Sequence, residues 1–408
     1  MAETYKHGRS VSPLFIDNKN GDEDDLHGIT DVGFEVSQGT EDVYIVGQAD
    51  KCGTEKDIPE GTTPCTQLER GEIQSFLHLA NLNAEPSGGL QLTDFSSART
   101  DIFGYVREDE RGTIEATVWM PDTAIDSFSL SVDADSRLVR TFSFINENKR
   151  VMAGANKYGI HKVFTAGSGV SGSFVMDVSD PAPVVNPHVS GEFILRIDRT
   201  RSGTLTTDIS TWSYDDGAEE ITVTDALADD VYNVYYSAGS FGTGGDPTTV
   251  DSDPQCFLKA EYVTVLISDG TTEVELDNIT SISFDASISR LNEATVGTTT
   301  KIKDIDETPV TISVSGRAKS DFSVEKAFMG TLNSSDLLSD VNSFTENVRV
   351  TIKIYDSAAK TTFLLGYQID NLAFNDDSFA VAANEFATID LNASTTNVLM
   401  TATEGNLT

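Results

Sequence analysis

The chain has 408 residues, with 65 Asp and Glu against 28 Lys and Arg and a formal net charge of −37. That length can bury two or three cores. The charge excludes a protein that grips DNA from outside, because phosphate binding needs clustered Lys and Arg. It leaves open DNA passing through a repelling channel, and it fits both simple solubility and a saline host.

Met1 to Gly8 has no apolar stretch, so no signal peptide is expected. No run approaches the roughly 20 apolar residues that cross a bilayer. A soluble protein made inside a cell, with no membrane partner, is the expectation. Residues 1–28 are polar and carry the acidic run Asp22-Glu23-Asp24-Asp25. They read as an extended arm ordered by a partner.

Strand patterning starts at Ile29. Val32, Phe34 and Val36 fall on one side, and Asp31, Gly33, Glu35 and Ser37 on the other. Strict alternation predicts a half-buried strand with one face on a core. Ile29-Thr30-x-Val32-x-Phe34-Glu35-x-Ser37 then returns, 250 positions on, as Ile279-Thr280-x-Ile282-x-Phe284-Asp285-x-Ser287. Ile282, Phe284 and Ala286 are the predicted core side of this second copy; Ser283, Asp285 and Ser287 are its wet side. The register holds through Val46-Gly47 and Val296-Gly297. A repeat this widely spaced implies a duplicated domain, since solenoids repeat every 20–50 residues or so.

Copy two then runs through a Thr-rich turn to Val310-Thr311-Ile312-Ser313-Val314, whereas copy one inserts about 60 residues before Ile114-Glu115-Ala116-Thr117-Val118. The insert, about 48–110, holds a predicted short helix near Leu68 to Leu79. A second block of similarity pairs Thr117-Val118 and Asp126 to Leu130 with Ser313-Val314 and Ser320 to Val324. A third, weaker block pairs Tyr158, Ile160, Val163 and Phe174 with Tyr367, Ile369, Leu372 and Phe386.

Gly167-Ser-Gly-Val-Ser-Gly172 reads as a hairpin turn. Asp180-Pro-Ala-Pro-Val-Val-Asn-Pro187 marks a domain boundary. Short β-rich runs at 193–197, 221–224 and 231–236 follow, closed by the Gly-rich 240–247. They predict a small β-sandwich module over 184–255. Copy two, 256–408, opens with a hairpin of Tyr262–Ser268 and Glu273–Leu276 around Asp269-Gly270. Ser323 is positioned to cap a helix through Phe328, and Asn333 to Ser335 another. The predicted domains are therefore the arm 1–28, domain 1 at 29–183, the module, and domain 2.

Chemistry is sparse. Phosphate-loop, dinucleotide, nucleophile-elbow and His-Glu-x-x-His motifs are absent. Carboxylates are too abundant for any pair to signify an acid and a base. Asp22–Asp25 and Asp376-Asp377 could bind calcium loosely, but they lack the EF-hand pattern and read rather as solvated turns. Cys52, Cys65 and Cys256 are an odd set, so Cys52–Cys65 could bridge a loop or all three stay free thiols. Scattered histidines argue against zinc. No catalytic, cofactor or metal residue is expected.

The Ile-Thr-x-Ile/Val-x-Phe strand, the Ser320–Phe328 segment, and the closing Gly366–Leu372 and Asp390–Ala393 strands together resemble the tail tube proteins of tailed phages and tailed archaeal viruses. The resemblance is best over 257–395 and fainter over 29–180. It implies a mainly β fold: two tandem tail-tube-like β-sandwich or barrel domains, each with a short flanking helix, and the small module between them. It implies rings stacked into a hollow tube in the virion tail, three duplicated chains to a pseudo-sixfold ring. The implied partners are further copies of the chain, a tape-measure protein, viral DNA bound without sequence preference, and tail terminator and tail-tip proteins.

A ring consumes exposed sheet edges by joining subunit sheets. Asp31, Glu35 and Asp285, with Ser37, Ser283 and Ser287, would line its lumen and repel phosphates. The 48–110 insert and the 1–28 arm are expected to make ring-to-ring contacts. The other reading is a non-enzymatic β interaction protein: an adhesin, a surface-layer component or a tail-tip protein. A sugar-binding reading is thin, because only Trp119 and Trp212 offer stacking platforms.

Overall fold

A computed structural model describes most of residues 11–407; the longer segments outside that description are 45–50, 249–257, 294–302, 307–310, 335–347 and 381–387. The chain is mainly β, with antiparallel sheets and few helices. In order come β1 (Val11–Asp17), β2 (Glu23–Asp24), β3 (Ile29–Val32), β4 (Glu35–Ser37), β5 (Thr40–Tyr44), β6 (Lys51–Lys56), β7 (Glu60–Leu68) and α1 (Gln74–Leu79). Then follow β8 (Leu90–Gln91), β9 (Thr100–Arg107), β10 (Ile114–Asp133), β11 (Val139–Asn146) and β12 (Arg150–Ala153). A separate group holds β13 (Tyr158–Thr165), β14 (Ser171–Asp177), β15 (Ile194–Arg201), β16 (Thr204–Thr206), β17 (Trp212–Asp215), β18 (Glu220–Leu227) and β19 (Val231–Ala238). The rest is β20 (Val263–Ser268), β21 (Glu273–Glu275), β22 (Ile279–Ser287), β23 (Arg290–Glu293), β24 (Lys303–Asp306), β25 (Thr311–Lys319), α2 (Ser323–Phe328), β26 (Val348–Tyr355), β27 (Phe363–Ala380), β28 (Thr388–Thr395) and β29 (Val398–Thr401).

Alternation builds these strands. In β11, Arg140, Phe142, Phe144 and Asn146 are buried while the residues between them are half-exposed. A long sheet runs β3/β4–β7–β11–β10–β22–β25–β28–β27. A first outer sheet runs β2–β1–β9–β10–β12, and a second runs β21–β20–β26–β27–β29–β8. β10 and β27 each belong to two sheets. β10 crosses where its register shifts against β9 at Met120/Thr123 and against β11 at Ile125/Ser127. β27 crosses by a similar shift at Phe374/Asp376. Such bulges bend a strand and increase its twist.

The pairing order is the same on both sides of the β10–β22 contact. β3–β7–β11–β10 is matched by β22–β25–β28–β27, and β2–β1–β9 by β21–β20–β26. Even irregularities recur. The register slips at Ile29/Asp31 and at Ile279/Ser281, and there Thr30 donates to the Thr66 carbonyl at 3.3 Å and Thr280 to the Arg317 carbonyl at 3.0 Å.

This order corrects several expectations. The 48–110 stretch is no insert, because β7, α1 and β9 have counterparts in β25, α2 and β26. The hairpin β5–β6 between β4 and β7 has its counterpart in β23–β24 between β22 and β25. The second similarity block fails, since Asp126–Leu130 lies on β10 and answers to β27. The third fails too, because Tyr158 and Ile160 lie in the separate group. Val46-Gly47 and Val296-Gly297 lie outside the described residues.

The described residues of the 1–28 arm are likewise largely part of the fold. Leu14-Phe15-Ile16 of β1 are buried against β9, because a three-residue apolar run can be covered from both faces. The small module begins at β13, not at 184. Its sheets are β13–β19–β15–β16 and β14–β18–β17. Gly167–Gly172 joins strands of different sheets and so is not a hairpin turn. The described part of the Pro-rich stretch, 180–186, lies inside the module, where Pro183 bridges Ala238.

One core serves both halves. Phe128 of β10 meets Phe142 at 5.1 Å, Phe76 of α1 at 5.3 Å, Phe284 of β22 at 5.4 Å and Tyr367 of β27 at 6.3 Å between ring centroids. Beside it, Arg140 is fully buried. It donates to Gln67 at 2.7 Å and Ser75 at 3.1 Å and pairs with buried Glu69 at 3.4 Å, which also accepts from Tyr367 at 2.8 Å. A buried pair of this kind needs every partner satisfied to offset desolvation.

The module seats on the first outer sheet. Leu14, Ile16, Phe103, Tyr105 and Trp119 pack with Tyr235 of β19, while Phe15, Ile102 and Met120 of the same strands enter the shared core. Trp119 stacks on Tyr235 at 5.4 Å and donates to buried Asp101 at 2.9 Å, so it offers no sugar platform. Arg196 of β15 lies 4.3 Å from the centre of the Tyr235 ring, pairs with Asp101, and lies 2.7 Å from Asp198. Burial opposes the Arg196 charge, and the two carboxylates outweigh it.

Burial raises the Asp198 pKa to about 7 against the lowering effect of Arg196. A carboxyl raised on folding takes up a proton. Its contribution is full below its ordinary value of 3.8 and lost as pH rises through about 7. Hydrogen exchange at the β15–β19 strands is therefore expected to be slower at about pH 5.5 than at about pH 8, after correction for intrinsic rates. Asp198→Asn should abolish the difference.

Candidate functional site

The open face of the long sheet is the candidate site. Its other face carries Phe128, Phe142, Phe144 and Phe284 into the core. The strand period of 2 therefore turns the intervening residues outward. Across the strands, one row reads Asp31, Thr66, Thr141, Ser129, Asp285, Ser313 and Ser394. The next reads Val139, Ser131, Ser283, Ser315 and Asn392. Ser283 and Ser315 hydroxyls are 2.8 Å apart. The face is thus a layer of short hydroxyl side chains with carboxylates set among them, including Asp133 opposite Ser281. Arg317 also stands on it, opposite Ser281 on the other side.

Of the residues expected on the wet side, Asp31, Glu35, Ser37, Asp285 and Ser287 are exposed and Ser283 is half-exposed. Of those expected in the core, Ile282, Phe284 and Ala286 are buried, Val32 and Phe34 half-buried, and Val36 is 40 % exposed. The difference follows from position. β22 sits mid-sheet between β10 and β25, whereas β3 and β4 pair only with β7 among the described residues. The pairing also breaks at Gly33, which donates to the Pro64 carbonyl at 2.9 Å while Pro64 has no N–H to return. Phe34 instead lies over Gly104, where a Cβ would meet its ring at 2.4 Å.

Sequence reasoning missed the serines of β10 and β25. The signal was present: Ser127-Phe-Ser-Leu-Ser-Val132 and Ser313-Val-Ser315 alternate as cleanly as the repeated strand. A shallow depression over Ser127, Ser129, Thr141, Asp285, Ser287 and Ser313 marks where the halves join.

Cys65 is a free thiol facing the core, and burial pushes its pKa up to about 12, which makes it a poor nucleophile or ligand. The Cys52 side chain, Cys256, and the Asp376 and Asp377 side chains lie outside what is described. Among the described residues, no group of three or more His, Cys, Asp or Glu is placed to hold a metal ion. No described helix is long and apolar enough to cross a membrane. Compared with models of known protein families and with curated protein sequences, the chain matches none.

Proposed function

We propose that the chain is a tail tube subunit. It is a tandem duplication of a tail-tube-like β domain, and three copies form a pseudo-sixfold ring that stacks into a conduit for viral DNA. The observation that carries this reading is the long sheet. It is continuous through both halves, and its open face is hydroxyl-rich with interspersed carboxylates. A channel for a polyanion needs such a wall, because it gives phosphates no dense array of cations to grip.

The position of the module supports the reading. It covers the first outer sheet on the side away from the open face, so in a ring it would stand outside the tube. The hairpins β5–β6 and β23–β24 leave equivalent points of the two halves. They take over the ring-to-ring role first expected of the 48–110 stretch and the 1–28 arm, whose described residues are largely held in the chain's own sheets.

Two charges 10 Å apart in water interact by only about 0.4 kcal/mol, so single substitutions should matter little and the effect must add along the tube. The triple variant Asp31→Lys, Glu35→Lys and Asp285→Lys is expected to assemble normally by negative-stain microscopy and to slow DNA ejection. Ejection at the parental rate from tubes of parental length would overturn the lumen assignment. A purified chain that forms neither rings, tubes nor threefold oligomers, alone or with an initiator complex, would overturn the subunit reading.

A further inference from the structure

The contact between the halves holds a description of a second contact, between chains. At the internal seam, Ser127 to Asp133 of β10 pair with Ser287 to Ser281 of β22. The counterpart of β10 is β27, and the counterpart of β22 is β3/β4. Those two strands end the long sheet. Among the described residues, Ala373–Ala380 pair only with β28, and β3/β4 only with β7. Each free end thus duplicates one half of a seam already made in the molecule.

The register can be carried across. Ser127 opposes Ser143 on β11, and Ser129 opposes Thr141; Asp376 opposes Asn392 on β28, and Ser378 opposes Asp390. The chain of pairings through β7 and β25 makes Thr141 equivalent to Asp390 and Ser143 to Asn392. Hence Asp376 stands where Ser127 does, and Ser378 where Ser129 does. Since Ser127 faces Ser287 and Ser129 faces Asp285, their repeat partners are Ser37 and Glu35.

Resting on the tube reading, we propose that β27 of one copy adds antiparallel to β3/β4 of the next, with Asp376 opposite Ser37, Ser378 opposite Glu35 and Ala380 opposite Gly33. Among the described residues neither edge has a second strand partner, although Lys149 already donates to the Phe34 carbonyl at 2.6 Å and would have to yield it, and such an unpaired edge favours strand addition. A second feature names the same partner. β29 is covered on its far side by β8 from the other half, whereas its counterpart β12 has no strand there among the described residues. A cleft of about 540 Å³ lies beside β12, with Val151 and Val189 exposed in it. The neighbour whose β27 meets β3/β4 would bring its second half to that cleft.

The test is cysteine cross-linking of the full chain in a Cys52→Ser, Cys256→Ser background, with buried Cys65 retained. Glu35 and Ser378 lie on strands at opposite ends of the sheet, seven strand spacings or roughly 34 Å apart measured along it, so a bond between them is read as intermolecular from the dimer band it gives. Directly opposed Cβ atoms lie about 4.5–5.5 Å apart and diagonal ones about 7–8 Å, and a disulfide needs about 4 Å. Mild oxidation of Glu35→Cys/Ser378→Cys is expected to give a ladder of dimer and trimer on a non-reducing gel. Ser37→Cys/Ser378→Cys should give no more than either single variant.

A ladder from the shifted pair alone overturns the register and leaves the tube reading standing. Rings or tubes with no ladder from either pair overturn the edge pairing and again leave that reading. Monomers throughout, with no ladder and no tubes, overturn both.

Discussion

Phe128→Ala is expected to lower stability by about 3–5 kcal/mol and to loosen both halves at once. Truncating a buried aromatic loses its transfer free energy and leaves a cavity. Here the cavity would be walled by Phe142 and Phe76 from one half and by Phe284 and Tyr367 from the other. The wall cannot collapse readily, because Tyr367 is tied to Glu69 and Arg140 lies 4.6 Å from the Phe76 ring centre. Urea unfolding followed by hydrogen exchange should show amides of β11 and β25 losing protection together. Loss confined to β11 would mean that the halves have separate cores.

Arg196→Met is expected to cost a further class of stability, about 3–5 kcal/mol, localised at the module. The substitution leaves Asp101 and Asp198 buried without their cation, and Asp101 retains only neutral donors such as the Trp119 indole. The triple variant Arg196→Met, Asp101→Asn and Asp198→Asn removes the charges as a set and should regain most of the loss. Limited proteolysis near 154–157 and 239–258 measures the undocking. A single variant as resistant as the parent would show that packing of Trp119 on Tyr235 alone holds the module.

The fold was legible where a strand had one wet and one dry face. Residues 279–287 declared themselves by alternation; 29–37 match them in sequence but form two strands, and the common bulge at Thr30 and Thr280 explains why the match is continuous. The β20–β21 hairpin declared itself by Asp269-Gly270. Other elements carried no such period. β1 is buried on both faces and so shows only the short run Leu14-Phe15-Ile16 within a polar segment. The second block of similarity matched Phe-Ser spacing alone, and β-strands share such spacing by composition. The structure separates the two: Asp126–Leu130 lie on β10, whereas Ser323 and Val324 of the matched Ser320–Val324 open α2.

Of the open face, sequence supplied the carboxylates Asp31, Glu35 and Asp285. It did not supply the serines of β10, whose place beside β22 depends on contacts far apart in the chain. Val36 was misplaced for a related reason: alternation describes a strand's faces but not whether a neighbour covers both its sides.

The internal seam also changes the kinetics of the proposed ring. β10 meets β22 within one chain, at an effective concentration set by the linking polypeptide rather than by how much protein the cell holds. A ring of six single-domain subunits has six seams that depend on protein concentration. A ring of three duplicated chains has three, the others being complete when each chain folds. Initiation then requires fewer simultaneous encounters, so rings should nucleate at lower expression and dissolve less readily on dilution.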